Sequence, residues 1–344
     1  MRLKHAFLFT TLLISACGES EHWPEHKLTD EIRAVGTKEK ALYVKSKFNP
    51  DEKAQEYVAG GDYMNYGKTM IHRDGPNMKI DEQGAPMVMQ GGKFYYGPGT
   101  VAIAALAAHG RMLAGEDKAK FLSISNKLAE LQDKDGALRY PFTFRHYSMG
   151  QYYKVGWTSG MDQGMALSVY SRAYKLTGDK KWLDYGEKAL AFLQVKYPDG
   201  PMSDLRFLDK SLAGRAFFLE YPAEPNAYTL NGYIFTLFGL YDWWKVTDSS
   251  QAGKLFNDGV DTLEHLLPYY DIGTFSAYDL SYITNSQLPY LQPRMPHVAA
   301  RYHSLHISQL MGLYSITGKE IFPETANRWS CLLYTSDAAD DLLC

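Results

Sequence analysis

Cysteine is nearly absent from the 344-residue chain. It has three, Cys17, Cys331 and Cys344, and none between residues 18 and 330. That stretch can hold no disulfide, thiolate zinc site or cysteine nucleophile. An excess of one charge is also missing: 36 Lys and Arg face 39 Asp and Glu, for a net charge of −3 and a pI near 6.4. A nucleic-acid binder would show a basic footprint, so none is expected as a partner; an acidic ligand in a local basic cleft stays open. No apolar run is long enough to cross a bilayer. Neither a Rossmann glycine pattern nor an HExxH zinc motif occurs. With 45% hydrophobic and 22% charged residues, the composition is that of a globular protein and excludes extended disorder. At roughly 150 residues per domain, the length suits one large domain or two modest ones. What is abundant is aromatic: 14% of residues, including 26 Tyr. Tyrosine-rich clefts suit sugars, because the ring face packs on C–H groups while the hydroxyl hydrogen-bonds.

The first seventeen residues read as a lipoprotein leader. Arg2 and Lys4 precede an apolar stretch at 6–14, and Ile14-Ser15-Ala16-Cys17 resembles a bacterial lipobox. The resemblance implies that Cys17 carries lipid and is the sole membrane attachment. Gly18 in place of Asp implies the outer membrane or another periplasm-facing or cell-surface location. Residues 18–40 read as a polar tether. Residues 331–344 resemble a translated sequencing adapter and are set aside.

Residues 41–100 read as a small β-hairpin region. Tyr43-Val44-Lys45, Tyr57-Val58-Ala59 and Met87-Val88-Met89 are the strand candidates, and Gly60-Gly61 and Gly91-Gly92 the turns. Residues 101–330 repeat weakly. Gly115, Gly178, Asp248 and Gly318 occupy equivalent corners 63, 70 and 70 residues apart. Each corner follows an apolar helical pattern, at 101–113, 165–176, 230–246 and 306–316, and each is followed by a second, such as 181–193 and 251–267. Glycine in the corner suits a helix C-terminus. Three aromatic segments, 135–161, 197–228 and 268–302, separate the pairs. Helix pairs too small to hide their own apolar faces must stack. The expected fold is mainly α: an (α/α) toroid or incomplete barrel of about four hairpins, with the long segments lining a cleft at one end.

Candidate chemistry sits in those segments. Leu219-Glu220-Tyr221-Pro222 sets a carboxylate beside a phenol. Asn231-Gly232 opens the third pair, and Tyr278-Asp279-Leu280 lies in the third aromatic segment. Arg301-Tyr302-His303-Ser304-Leu305-His306 enters the fourth pair, where His303 and His306 share a helix face. No motif completes a metal site around them. Glu220-Tyr221-Pro222, Leu230-Asn231-Gly232-Tyr233, Gly239-Leu240-Tyr241-Asp242, Tyr278-Asp279-Leu280 and Tyr302-His303-x-x-His306-Ile307-x-Gln309-Leu310 occur in order, preceded by Gly156-Trp157 and Met161-x-Gln163-Gly164. Together they resemble the C-terminal domain of the D-glucuronyl C5-epimerase family, over roughly 85–328.

That resemblance implies inversion of C5 in glucuronate within a heparosan-like acidic polysaccharide, giving iduronate, without cofactor or metal, by a homodimer. It implies that Glu220, Tyr221, Tyr278 and Tyr302 are catalytic; Glu220 and Tyr302 are expected to lie on opposite faces of the sugar ring and exchange the C5 proton, with Tyr221 and Tyr278 orienting the carboxylate or tuning a base. Trp157, Gln163, Asn231, Arg301, His303 and His306 are expected to bind substrate. A tyrosine base needs a nearby cation, for which Arg301 and His303 are candidates. The chain departs from the animal enzymes in carrying Ser281 where they have Arg, leaving Arg294 or Arg301 to meet the substrate's acid. It also has no room for their preceding β-barrel domain. Three other readings compete. A uronate lyase would remove the same proton and expel the O4 substituent. A hydrolase would use two carboxylates, such as Asp162 and Glu220. A glycan-binding lipoprotein would use the aromatic cleft without a base.

Overall fold

The computed structural model describes residues 28–46, 56–146, 150–285 and 295–334. The leader, Cys17, Arg294 and residues 335–344 lie outside them. Four helix hairpins dominate these residues: α3 (Pro98–Leu113) with α4 (Lys118–Leu131), α5 (Gly160–Thr177) with α6 (Lys181–Leu193), α7 (Leu230–Thr247) with α8 (Ser250–Tyr270), and α10 (Ala300–Thr317) with α11 (Ile321–Tyr334). The first helix of each pair packs on the first of the next, α3 on α5, α5 on α7 and α7 on α10. These four make the inner wall of an incomplete (α/α) toroid. The second helices lie outside.

Sequence dictates that division. The inner helix α7 is buried almost all round, from Leu230 to Trp243. The outer helix α6 buries one stripe, Trp182, Gly186, Ala189, Leu190 and Leu193, the spacing of an amphipathic helix against a core. Close approach of α5 to α7 needs glycine on both sides, since a Cβ on Gly239 would collide with the Gly164 backbone. The four corners behave as expected. Gly115, Gly178 and Gly318 have φ of 107°, 67° and 67°, and Asp248 takes the same left-handed region at 59°. After α5, α7 and α10, the N–H of the corner residue closes on the carbonyl four residues back, which is the αL cap.

Short corners at one end leave the long connections at the other, where each outer helix returns to the N-terminus of the next inner one. The first, 132–159, carries β4 (Phe144–Arg145) and β5 (Tyr152–Tyr153). The second, 194–229, carries β6 (Met202–Asp204) and β7 (Ala216–Phe218). The third, 271–299, carries the short helix α9 (Ser281–Thr284). The inner helices therefore present their N-termini, the positive ends of their dipoles, to this face.

The N-terminal region departs from expectation in three places. Residues 18–40 are not a tether throughout: α1 (Asp30–Ser46) is a helix that docks on the toroid. Glu39 accepts from the Ala300 amide at 3.0 Å, and the Thr274 hydroxyl donates to the Arg33 carbonyl at 2.7 Å. Asp30 and Glu31 in its first turn suit a helix start. Tyr43-Val44-Lys45 falls inside α1, and Tyr57-Val58-Ala59 is loop, because Tyr57 is buried flat on Phe238 with centroids 4.3 Å apart. The third strand candidate is correct. β1 (Met78–Ile80), β2 (Pro86–Gln90) and β3 (Lys93–Tyr95) form an antiparallel sheet, and Gly91-Gly92, at φ 55° and 82°, makes the two-residue turn between β2 and β3. Between the sheet and α1 lies the short helix α2 (Tyr66–Thr69), packed on α3. Helix α11 continues to Tyr334 and buries Leu332 along with Phe322, Ala326 and Trp329. No helix among the described residues is long and apolar enough to cross a membrane.

Candidate active site

Strand β7 leads into Glu220, and the backbone there is tied to the inner wall: the Gly160 amide, at the start of α5, donates to the Leu219 carbonyl at 2.6 Å. The Glu220 side chain lies against the first turn of α7, where a Cβ on Gly232 would collide with its Oε2. Glycine in Asn231-Gly232 is thus what admits the carboxyl group. The Tyr278 hydroxyl donates to Glu220 Oε1 at 3.4 Å, and the Tyr221 phenol bonds to both Glu220 and Tyr278. The Tyr302 ring leans on Tyr278 with centroids 4.3 Å apart. Chain segments separated by up to 82 residues are thereby joined into one cluster, and Tyr221 and Tyr302 keep part of their surface open.

Burial governs the charges. Glu220 is 5% exposed. Burial pushes its carboxyl up to about 8; the Tyr221 and Tyr278 hydrogen bonds pull against that, while Asp162 and Asp279 push it further up. Glu220 is therefore mainly protonated at neutral pH. The Tyr221 phenol is held well above its ordinary range by burial and by Glu220. Arg301, on the exposed side of α10, donates to the Tyr302 hydroxyl oxygen at 3.3 Å, setting a positive charge beside that phenol.

Aromatic side chains extend the cluster into a platform. Trp157 lies flat on Tyr140, 3.9 Å between centroids and 2° between planes, and its indole N–H donates to the Phe142 carbonyl at 3.1 Å. Phe144 stacks on Tyr221 at 5.6 Å and on Trp157 at 5.5 Å. Buried His146 meets the Tyr221 ring edge-on at 4.8 Å. Sequence reasoning named this aromatic segment but not Tyr140 or Phe144 individually. Their contacts are set by the β4–β5 hairpin folding over Tyr221, which no local spacing reveals.

Three expected substrate contacts, His303, His306 and Gln163, are buried in the core, while Asn231 lies in the first turn of α7 beside Glu220. His303 and His306 do share a helix face, but that face is the core side of α10. His303 Nε2 donates to the Trp329 carbonyl at 2.9 Å, and its Nδ1 accepts from the Ser276 amide at 3.0 Å. Both histidines are fully buried, and burial drives His303 down to about 3 and His306 well below its usual range. They are neutral packing groups, so His303 is not the cation beside Tyr302. Gln163 is fully buried as well, and its amide donates to the Gly136 carbonyl at 3.0 Å, pinning the first long loop to α5. Asn231 accepts from Gln309 through its backbone carbonyl at 3.0 Å, leaving its side-chain oxygen buried with no partner among the described residues. Ser281 caps the chain locally, donating through its amide and hydroxyl to Asp279 at 3.0 and 2.6 Å. Among the described residues no group of three or more His, Cys, Asp or Glu is placed to hold a metal.

Over 188 residues, 51% of its length, the chain is 32% identical to a D-glucuronyl C5-epimerase of Caenorhabditis elegans, of which it covers 28%. Over 193 residues it is 30% identical to an uncharacterized protein of Methanocaldococcus jannaschii, covering 56% of each chain. The chain thus spans less than two thirds of either relative. A solved family 76 glycoside hydrolase from a bovine Bacteroides thetaiotaomicron strain is similar with a TM-score of 0.44 and 12% identity, over 71% of this chain and 49% of that one. Residues 132–331, more than half of the chain and all of the cluster around Glu220, match the family described as D-glucuronyl C5-epimerase C-terminus, and the chain belongs to that family.

Proposed function

We propose that the chain is a uronate C5-epimerase that converts glucuronate to iduronate within a heparosan-like polysaccharide. The observation that carries this reading is the hydrogen-bonded Glu220, Tyr221 and Tyr278 cluster with the Arg301-paired Tyr302 against it. Epimerisation at C5 needs a base on one ring face, an acid on the other, and donors for the carboxylate on which charge collects. The C5–H bond breaks toward the Tyr302 oxygen, and its electron pair moves into a C5–C6 enolate. The base enters as the phenolate, whose charge the Arg301 guanidinium stabilises, and leaves as the neutral phenol once it holds the C5 proton. The Tyr221 and Tyr278 phenols donate to the sugar carboxylate, and protonated Glu220 delivers its proton to C5 from the opposite face. The reverse reaction exchanges the two roles. The Trp157 platform offers a face for sugar C–H groups. A lipid on Cys17 would put this chemistry on glycans outside the cytoplasm.

Incubation with unsulfated glucuronate polymer in heavy water tests the reading. Deuterium at C5 with new iduronate signals in the proton NMR spectrum is the expected result. Unsaturated uronate absorbing in the ultraviolet, with chain shortening, would instead make the protein a lyase. Tyr302→Phe should lower C5 exchange by about 10²–10⁴-fold. Its thermal midpoint should stay close to that of the parent, because the lost hydroxyl meets an exposed arginine rather than the core. Unchanged exchange in that variant would remove Tyr302 from the mechanism.

A further inference from the structure

Position 162 is left open by the motif Met161-x-Gln163-Gly164, yet in this chain it carries a fully buried carboxylate. Asp162 lies in the first turn of α5, two residues after the Gly160 amide that grips Leu219 beside Glu220. It is packed against the start of α3 so closely that a Cβ on Gly99 would strike its carboxylate. The Tyr140 phenol, the Gly99 amide and the Ser159 hydroxyl surround it, but neither carboxylate oxygen has a partner at standard hydrogen-bond geometry. A buried carboxylate whose neighbouring donors are not aligned on it costs stability.

We propose that Asp162 is a positioning residue of the epimerase site, a second carboxylate whose negative charge keeps the proton on Glu220 and whose contact with Tyr140 orients the platform under the sugar. The proposal rests on the epimerase reading for its chemistry but not for its electrostatics. The groups facing Glu220 are Asp162 from α5, Tyr140 from the first long loop, Tyr221 beside it, and Tyr278 and Asp279 from the third long loop; Tyr302 of α10 acts on it through Tyr221. Around these groups, His146 meets the Tyr221 ring edge-on at 4.8 Å, His297 meets the Tyr278 ring edge-on at 4.9 Å, and Arg301 donates to Tyr302. Burial raises Asp162 to about 6 and Glu220 to about 8. Near pH 7 Asp162 is therefore mostly charged and Glu220 mostly neutral, which is the division an acid catalyst needs.

Asp162→Asn removes the charge and keeps the shape. The limb of the kcat/KM profile that reports Glu220 should move to lower pH by about half a unit or more, with KM changed less than kcat. A second readout needs no turnover. Glu220 is raised on folding, so stability falls as pH rises from the ordinary carboxyl range and levels off near the folded value. In Asp162→Asn this levelling should come at lower pH, read from thermal midpoints between pH 5 and 9. Tyr140→Phe should shift both profiles the same way by less, since loss of the phenol leaves Asp162 less ionised. An unmoved limb and an unmoved levelling point would overturn the proposal, as would an equal activity loss at every pH with neither profile shifted. A parent that exchanges no C5 proton, with the levelling point still displaced, would sink the epimerase reading and leave the coupling of Asp162 to Glu220 standing.

Discussion

Glu220→Gln should remove C5 exchange by about 10²–10⁴-fold and at the same time make the protein more heat-stable at alkaline pH. The two effects have one origin. The carboxyl is 5% exposed, and burial raises it to about 8. In the unfolded chain it ionises in the ordinary carboxyl range. A group raised on folding contributes stability in full below its unfolded value and loses it as pH rises toward the folded value. The parent therefore loses stability from about pH 4.5 to about pH 8 on this residue's account, on the order of a few kcal/mol in total. Glutamine fits the same space beside Gly232, can still accept from Tyr278, and does not titrate. The difference in thermal midpoint between variant and parent should widen across that window and stay constant above it. A variant that is equally or less stable at pH 9 would show that Glu220 is ionised at no cost in the fold, and the acid role proposed here would fall with it.

The second large effect lies at the other end of the toroid. Arg172 of α5 and Asp242 of α7 form an ion pair at 2.6 Å with both side chains fully buried. Asp242 also accepts from the Tyr57 hydroxyl at 2.7 Å and from the Gly60 amide at 3.1 Å, and Arg172 donates to the Gly61 carbonyl at 2.9 Å. This network fastens the segment before α2 across the two central helices. Asp242→Asn leaves a buried guanidinium without its counter-charge, which should cost about 3–5 kcal/mol, measured as a fall in the urea midpoint. Arg172→Met with Asp242→Leu should recover much of that loss, because removing both charges also removes their desolvation penalty. If the single variant were as stable as the parent, the pair would be contributing nothing to the joint between α5 and α7.

The helix pairs were legible because local rules dominate them. A helix that ends in the left-handed region wants Gly, or Asp in its place at 248, and the apolar pattern on either side has no alternative period. The range read for α6 is the observed 181–193, and α7 begins at the expected Leu230. The docked helix α1 was not legible. Its polar sequence reads as a tether, and what holds it is a few contacts to Thr274 and Ala300, more than 200 residues away.

The site divides along the same line. The order of residue types was readable from the chain: a carboxylate beside a phenol at 220–221, a glycine at 232, phenols at 278 and 302, and two histidines one turn apart on α10. Those are covalent facts, and the family resemblance rests on them. Which of them meet was decided only by the tertiary structure. Glu220 and Tyr278 touch because the second and third long loops lie at the same face of the ring. His303 and His306 turn away because α11 covers that side of α10 with Trp329. Asp162 and Glu220 come to the same region where the backbone bond from Gly160 to Leu219 ties the start of α5 to the second long loop. Sequence alone determined the helices, their corners and the chemical groups on offer, since these depend on neighbours within a few residues. Burial, and with it the proton on Glu220, depends on what the rest of the chain lays over a residue, and only the folded ring supplies that.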